Sequence, residues 1–247
     1  MSHLLEVSDI RKSYGAIRAV DGVSFTAAPG EILGVIGPNG SGKTTMFNAI
    51  LGQVRPDAGR VLFEGRDISG IGALALSRRG IGRTFQSLQV FGGLSVRDNL
   101  IAAGQEFVGS PWSRLFAAPD AGLTGRADEI IALFRIGHVA KLPAGSLSYG
   151  QQKLVDIAMA FMARPRLVLL DEPCAGINPA LVDELMDLLS RLNRDYGASF
   201  IVIEHNMDFV MRLCSRVICL AQGRKLAEGT PDEVQSNRAV LEAYLGV

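Results

Sequence analysis

The apolar positions of this chain change their period along its length, and the changes divide it into three stretches. From the amino end, "LLEV", "VSFTA" and "EILGVIG" are short apolar or β-branched runs broken by Gly, Pro and Asp, the pattern of strands. A helix is predicted from Lys43 to about Leu51, and "RVLFEG" and "GIGRTF" read as further strands. From Gln86 to about Gly150 helical spacing takes over. Ser95–Asp98 opens one helix as a capping arrangement, and "ADEIIALFRIG" is another. The stretch between them, "GQEFVGSPWSRLFAAPDAGLTG", is rich in Gly and Pro yet carries Phe107, Trp112, Leu115 and Phe116.

After Gly150 the pattern becomes regular α/β. A helix runs to about Arg164 and is followed by the strand "RLVLL" and a helix capped by Asn178 with Pro179 at its first position. Leu181, Leu185, Leu188, Leu189 and Leu192 give that helix one apolar face. The strand "SFIVIE", a short helix and the strand "RVICLA" come next. A turn at Gln222–Gly223 then leads to Thr230–Glu233, a capping box opening the last helical segment. Strands alternating with helices imply a largely parallel core sheet with helices on its faces. No internal repeat or low-complexity tract interrupts this order.

Composition narrows the class. With 247 residues the chain is long enough for one large domain with a well-buried core. Its formal net charge of +0 argues against a basic nucleic-acid footprint. No apolar run approaches the length of a membrane span, and "MSHLLEVSDI" lacks the basic and apolar regions of a signal peptide. Cys174, Cys214 and Cys219 are odd in number and form no CxxC pair, which fits a reducing cytoplasm.

Chemistry enters at "GPNGSGKT", which satisfies G-x-x-x-x-G-K-[ST] at every fixed position, after an apolar strand and before an apolar helix. Gly37, Pro38, Asn39, Gly40, Ser41 and Gly42 form a loop whose backbone N–H groups can curve around a phosphate. Lys43 adds a positive charge, Thr44 offers a hydroxyl to Mg²⁺, and Thr45 follows in the helix. "RLVLLDEP" supplies the second half. Asp171, at the strand's carboxyl end, can hold Mg²⁺ through water, and Glu172 is the candidate general base for an attacking water. A further helix tip, in "SLSYGQQKLVDIA", presents serines, a glycine and unpaired N–H groups, and so favours an anion.

Tyr14, the "GPNGSGKT" loop, Gln86 in "RTFQ", "LSYGQQ", "LLDEP" and His205 in "IVIEHN" together resemble the ATP-binding cassette (ABC) ATPases over essentially the whole chain. The resemblance implies an α/β P-loop NTPase core with a parallel sheet, an N-terminal antiparallel β subdomain and a helical insertion subdomain. It implies one cassette over 1–247, with 1–85 and 151–247 as nucleotide-binding core and 86–150 as the helical, signature-bearing subdomain. In that family two cassettes face each other head to tail. The tip at Ser148, Gly150 and Gln151 would then cap ATP held in the partner's cradle. Gln86 corresponds to the glutamine that senses Mg²⁺ and the attacking water, and His205 to the histidine at the γ-phosphate. Tyr14 corresponds to the residue stacking on adenine. Tyr149 stands where many members have Gly, and Asn178 where many have Asp.

The stretches "VFGGLSVRDNL", "LSYGQQ", "AGINP" and "VLEAYLG" resemble the ATP-binding subunits of branched-chain amino-acid importers. That implies ATP hydrolysis with Mg²⁺ at the cytoplasmic face of the cell membrane, separate permease subunits, an identical or paralogous second ATPase, and indirectly a periplasmic binding protein. The alternatives are an ATPase for urea, amides, other amino acids or lipopolysaccharide export, and more distantly a soluble ABC ATPase. A regulator that binds nucleotide without hydrolysis is disfavoured by Glu172 and His205.

Overall fold

The structure, a computed structural model, describes residues 3–84, 88–105 and 121–245. Two strands open it, β1 (Leu5–Tyr14) and β2 (Ile17–Ala27). With β4 (Ala58–Phe63) and β5 (Arg66–Asp67) they form a four-stranded sheet in the order β2-β1-β4-β5, antiparallel throughout. The second sheet has six strands. Here β3 (Ile32–Ile36), β6 (Ile81–Arg83), β7 (Leu167–Asp171), β8 (Ser199–Ile203) and β9 (Arg216–Ala221) run parallel, and β10 (Arg224–Gly229) closes one edge antiparallel, giving β10-β9-β3-β8-β7-β6.

The continuous apolar runs of the sequence are the central strands, covered on both faces. Every residue of β3, β7 and β8 is buried. Because side chains alternate, each strand feeds two cores. Leu33, Val35, Leu167, Leu169, Ile201 and Ile203 join α1 (Lys43–Ile50) and the antiparallel sheet in one core. Val168, Leu170, Phe200 and Val202 face the other core, built from α3 (Val96–Gly104), α4 (Ala121–Leu133), α5 (Tyr149–Phe161) and α6 (Pro179–Tyr196). There Phe134 meets Phe161 edge to face, with ring centroids 5.6 Å apart.

The caps read from sequence form. Ser95 accepts the Asp98 N–H, Asn178 accepts the Leu181 N–H at 2.9 Å, and Thr230 with Glu233 makes a reciprocal box at the start of α8 (Pro231–Gln235). Three elements differ from the sequence pattern. The helix expected to reach Arg164 ends at Phe161. A short α2 (Ala73–Arg78), which the pattern did not indicate, follows Gly72. The strand β10, "RKLAEG", is too charged to signal a strand; it is an edge, and only its pairing with β9 across the Gln222–Gly223 turn holds it. Trp112 and its neighbours lie outside the described residues. Among the described residues no helix is long and apolar enough to cross a membrane.

All three cysteines are free and buried. Burial pushes the Cys214 thiol up to about 12 and the Cys219 thiol up to about 11, and raises Cys174 as well. Thiolate, the reactive form, is therefore scarce at neutral pH. N-ethylmaleimide should label the native protein at least about tenfold more slowly than the urea-unfolded chain. Intact-mass spectrometry reads this directly, and rapid labelling of the native chain would contradict the burial.

Candidate functional site

The loop from Gly37 to Gly42 leaves β3 and enters α1 with backbone that only glycine tolerates well. Gly42 caps α1 at φ 99°, and a Cβ there would lie 2.2 Å from the Ala19 carbonyl oxygen. The loop is thus pressed against β2. Lys43 is buried, and its Nζ donates to the carbonyls of Gly37 at 2.7 Å and Pro38 at 3.0 Å. Burial lowers its pKa, opposed by Glu172, Cys219 and Asp171. An ammonium held this way gains from an anionic ligand that replaces lost hydration.

A cavity of about 500 Å³ opens at this loop. Tyr14, Asn39 to Thr45, Glu172 and His205 line it together with Ile17, Arg18, Ala19 and Gln222. The topology therefore brings the predicted cradle, base, histidine and aromatic to one place. Tyr14, at the end of β1, is half exposed there. Gln86 lies outside the described residues.

Asp171 ends β7, and Glu172 follows it at φ 49°, a left-handed conformation that costs a non-glycine residue about 1–2 kcal/mol. The Glu172 N–H donates to the Ile203 carbonyl at 2.9 Å, and its Oε1 lies 3.1 Å from His205 Nε2. Burial raises the Asp171 pKa and the Glu172 charge raises it further, while Arg83, Lys153 and Lys43 oppose the shift. Adjacent acids at a strand end, one of them buried, form a site that a cation relieves. Among the described residues no three His, Cys, Asp or Glu side chains cluster as a metal cage. Mg²⁺ takes one or two protein oxygens and completes its shell with phosphate and water. Thr44 and Asp171 fit that demand.

Some residues at this site were invisible to sequence patterning. Glu204, buried after β8, accepts the N–H groups of Cys174 at 2.6 Å, His205 at 2.8 Å and Asn206 at 3.1 Å. It fixes both loops that carry the Glu172–His205 pair. Lys153, 1% exposed on α5, donates to the Glu172 carbonyl at 3.0 Å. The Gly37 N–H donates to the Tyr244 hydroxyl at 2.8 Å, which ties the terminal helix α9 (Arg238–Leu245) to the start of the cradle. Two of these sit in plain sight, in "GQQKLV" and "VIEHN", but only chain-distant contacts reveal their work.

The second helix tip stands apart. Ser148 caps α5 with a reciprocal box: its hydroxyl accepts the Gln151 N–H at 3.3 Å, and its own N–H donates to Gln151 Oε1 at 3.1 Å. Gly150 is buried against α6, where a Cβ would come within 2.1 Å of Leu181 Cδ2. The Tyr149 ring lies over Gly176, in the loop before Asn178. Ser148 and Gln151 line a groove of about 1010 Å³ with Asn178 and Leu181, and none of these four lines the cradle cavity.

A family model described as ABC transporter matches residues 20–175, and one described as branched-chain amino acid ATP-binding cassette transporter matches residues 224–247. The chain is 34% identical over 249 residues to the high-affinity branched-chain amino acid transport ATP-binding protein BraF of Pseudomonas aeruginosa, covering 98% of each. It is 37% identical over 245 residues to the lipopolysaccharide export system ATP-binding protein LptB of Escherichia coli, covering 98% of this chain and 97% of that one. Among solved structures, an ABC transporter cassette in its ADP conformation superposes with a TM-score of 0.90 at 34% identity, covering 100% of both chains. A dimeric bacterial ABC transporter cassette gives a TM-score of 0.77 at 25% identity over 92% of this chain and 98% of that one.

The raised Asp171 pKa has a stability consequence. A carboxyl whose folded pKa lies above its unfolded value stabilises the fold while protonated and loses that contribution as pH rises through the folded value. At about pH 7 the ionised Asp171 is therefore a net cost, and Asp171→Asn should raise the thermal midpoint measured without nucleotide or metal. The gain should shrink in acid, where the native side chain protonates. A lower midpoint at neutral pH would mean that pairing with Arg83, Lys153 and Lys43 outweighs burial.

Proposed function

This chain belongs to the ABC transporter family, and on that premise we propose that it is the ATP-hydrolysing subunit of an importer for branched-chain amino acids. The observation that carries the hydrolytic reading is the 3.1 Å contact between Glu172 and His205 at the mouth of the cradle cavity. ATP seats its phosphates on the Gly37–Gly42 loop, with Lys43 as the mobile charge, and its adenine stacks on Tyr14. The Thr44 hydroxyl and, through water, Asp171 would hold Mg²⁺, whose charge would neutralise phosphate when bound. Glu172 accepts the proton of the attacking water, and His205 holds that carboxylate in line and contacts the γ-phosphate. By the same resemblance Gln86 senses the metal and the water.

The separation of the two grooves supports a shared site. The cradle of one chain closes under the Ser148, Gly150 and Gln151 tip of a second copy or paralogue, because its own tip lines a different groove. Neither tip alone neutralises a triphosphate. We assign one cassette to 1–247, with 1–85 and 151–247 as core and 86–150 as the helical subdomain.

That subdomain offers a docking face for a separate membrane permease, which places the cassette peripherally on the cytoplasmic side. Asn99, fully buried, accepts the Phe91 N–H at 2.7 Å and donates to the carbonyls of Phe91, Leu94 and Ser95. This clamp holds rigid a loop whose Phe91 and Leu94 side chains are 58% and 40% exposed. Exposed apolar side chains on a fixed loop are suited to burial against a partner. A binding protein would act only through the permease. The likeness to LptB supports one other reading, in which the same engine drives export.

Glu172→Gln should lower turnover by about 100-fold or more while ATP still binds, because Lys43, Thr44 and Asp171 remain. In that background, Ser41→Cys and Ser148→Cys should form an interchain disulfide with ATP and little without it. The bond needs Cα atoms within about 7 Å. A crosslink indifferent to ATP, or formed only within one chain, would remove the shared site. Phe91→Asp should abolish co-purification with the permease and leave basal hydrolysis within about twofold of the parent. With the permease reconstituted, hydrolysis stimulated by binding protein loaded with leucine would support the importer, and its absence the export reading.

A further inference from the structure

The helix that begins at Ser148 carries a buried cation directly beneath the proposed base. Lys153 follows Ser148 by about 7.5 Å along the axis at 1.5 Å per residue. It is 1% exposed, and its Nζ reaches the Glu172 carbonyl at 3.0 Å. As a mere space filler it is a poor choice, since a methionine would fill similar volume without desolvating a charge. The acids that act on it are Asp156, Glu204, Glu172 and Asp171, in decreasing order, and burial lowers its pKa against them.

What Lys153 holds is a strained residue. Glu172 sits at φ 49° with three backbone hydrogen bonds: its N–H donates to Ile203, and its carbonyl accepts from Lys153 and from the Ala175 N–H at 3.1 Å, while its side chain points to His205. One turn further along α5, Asp156 Oδ1 accepts the Gln89 N–H at 3.3 Å. The helix thus grips both the segment after Gln86 and the backbone of the base.

We propose that Lys153 is a positioning residue that pins the Glu172 backbone, and so couples the Ser148 helix tip to the hydrolytic pair of its own chain. This rests on the assignment of Glu172 as base and of the Ser148 tip as cap on the partner's ATP. When the tip seats on that nucleotide, any shift of α5 is delivered by Lys153 to the Glu172 carbonyl, about one and a half turns away. Each site then informs the other through a side chain that touches neither ATP.

The test uses the full chain with Lys153→Met. Expected is a fall in kcat of about tenfold or more, with KM for ATP within about twofold of the parent. In the Glu172→Gln background, the ATP-dependent Ser41→Cys/Ser148→Cys crosslink should persist with Lys153→Met, because the tip itself is unchanged. Lys153→Gln, which can still donate to the carbonyl, should recover part of kcat. Turnover within about twofold of the parent in Lys153→Met would overturn the proposal. So would a parallel loss of kcat, ATP affinity and thermal stability in both variants, the signature of a structural lysine. If Glu172→Gln with native Lys153 gives no ATP-dependent crosslink, the shared-site reading fails instead, and the kcat split still reports whether Lys153 positions Glu172.

Discussion

Charge buried at the carboxyl ends of β3, β7 and β8 is the constraint to which the rest of the structure answers. Lys43, Lys153, Asp171 and Glu204 are all buried there, beside central strands that are buried along their whole length. An isolated buried ion costs several kcal/mol, roughly, so each must find partners of opposite sign or backbone dipoles. Lys43 finds loop carbonyls, Lys153 the Glu172 carbonyl, and Glu204 the N–H groups of Cys174, His205 and Asn206. Asp171 is the least settled, and that is where a metal ion is useful.

The same contacts that satisfy the charges also set the geometry of the chemistry. Glu204 joins the loops after β7 and β8, so Glu172 and His205 are placed by one buried carboxylate. Lys153 fixes the left-handed turn at Glu172 from below. Tyr244 reaches the cradle from the opposite end of the chain and satisfies the N–H of Gly37. A buried unpaired N–H would cost about 1–3 kcal/mol, so the terminal helix is part of the site's support. The segment matching the branched-chain amino acid cassette model is the one that supplies this tyrosine.

The separation of cradle and Ser148 tip is the observation on which the proposed shared site rests. Ser148 and Gln151 cap their own helix, so the tip is stable without a ligand and remains exposed for one. Tyr149, which departs from the family's usual glycine, rests on Gly176, and Asn178 caps α6. Both departures are absorbed into local packing on the face that carries the tip.

The sequence alone determined most of what depends on neighbours along the chain, the short helix α2 and the exact end of α5 excepted. The cradle is legible because its glycines, Lys43 and Thr44 must be contiguous to wrap one phosphate, and the strand-end acids because "LLDE" is both strand and site. Caps at Ser95, Ser148, Asn178 and Thr230 are legible for the same reason, since a cap bonds three residues ahead. What only the tertiary structure decided is the fate of polar residues that the pattern assigns to surfaces. Lys153, Glu204, Asn99 and Tyr244 look solvated in sequence, and each is engaged by a partner that the fold brings to it. The charged strand β10 belongs with them, because an edge is held by its neighbour's hydrogen bonds and not by its own side chains. Periodicity records which residues are apolar, whereas the burial of a charge depends on contacts that the chain makes only after it has folded.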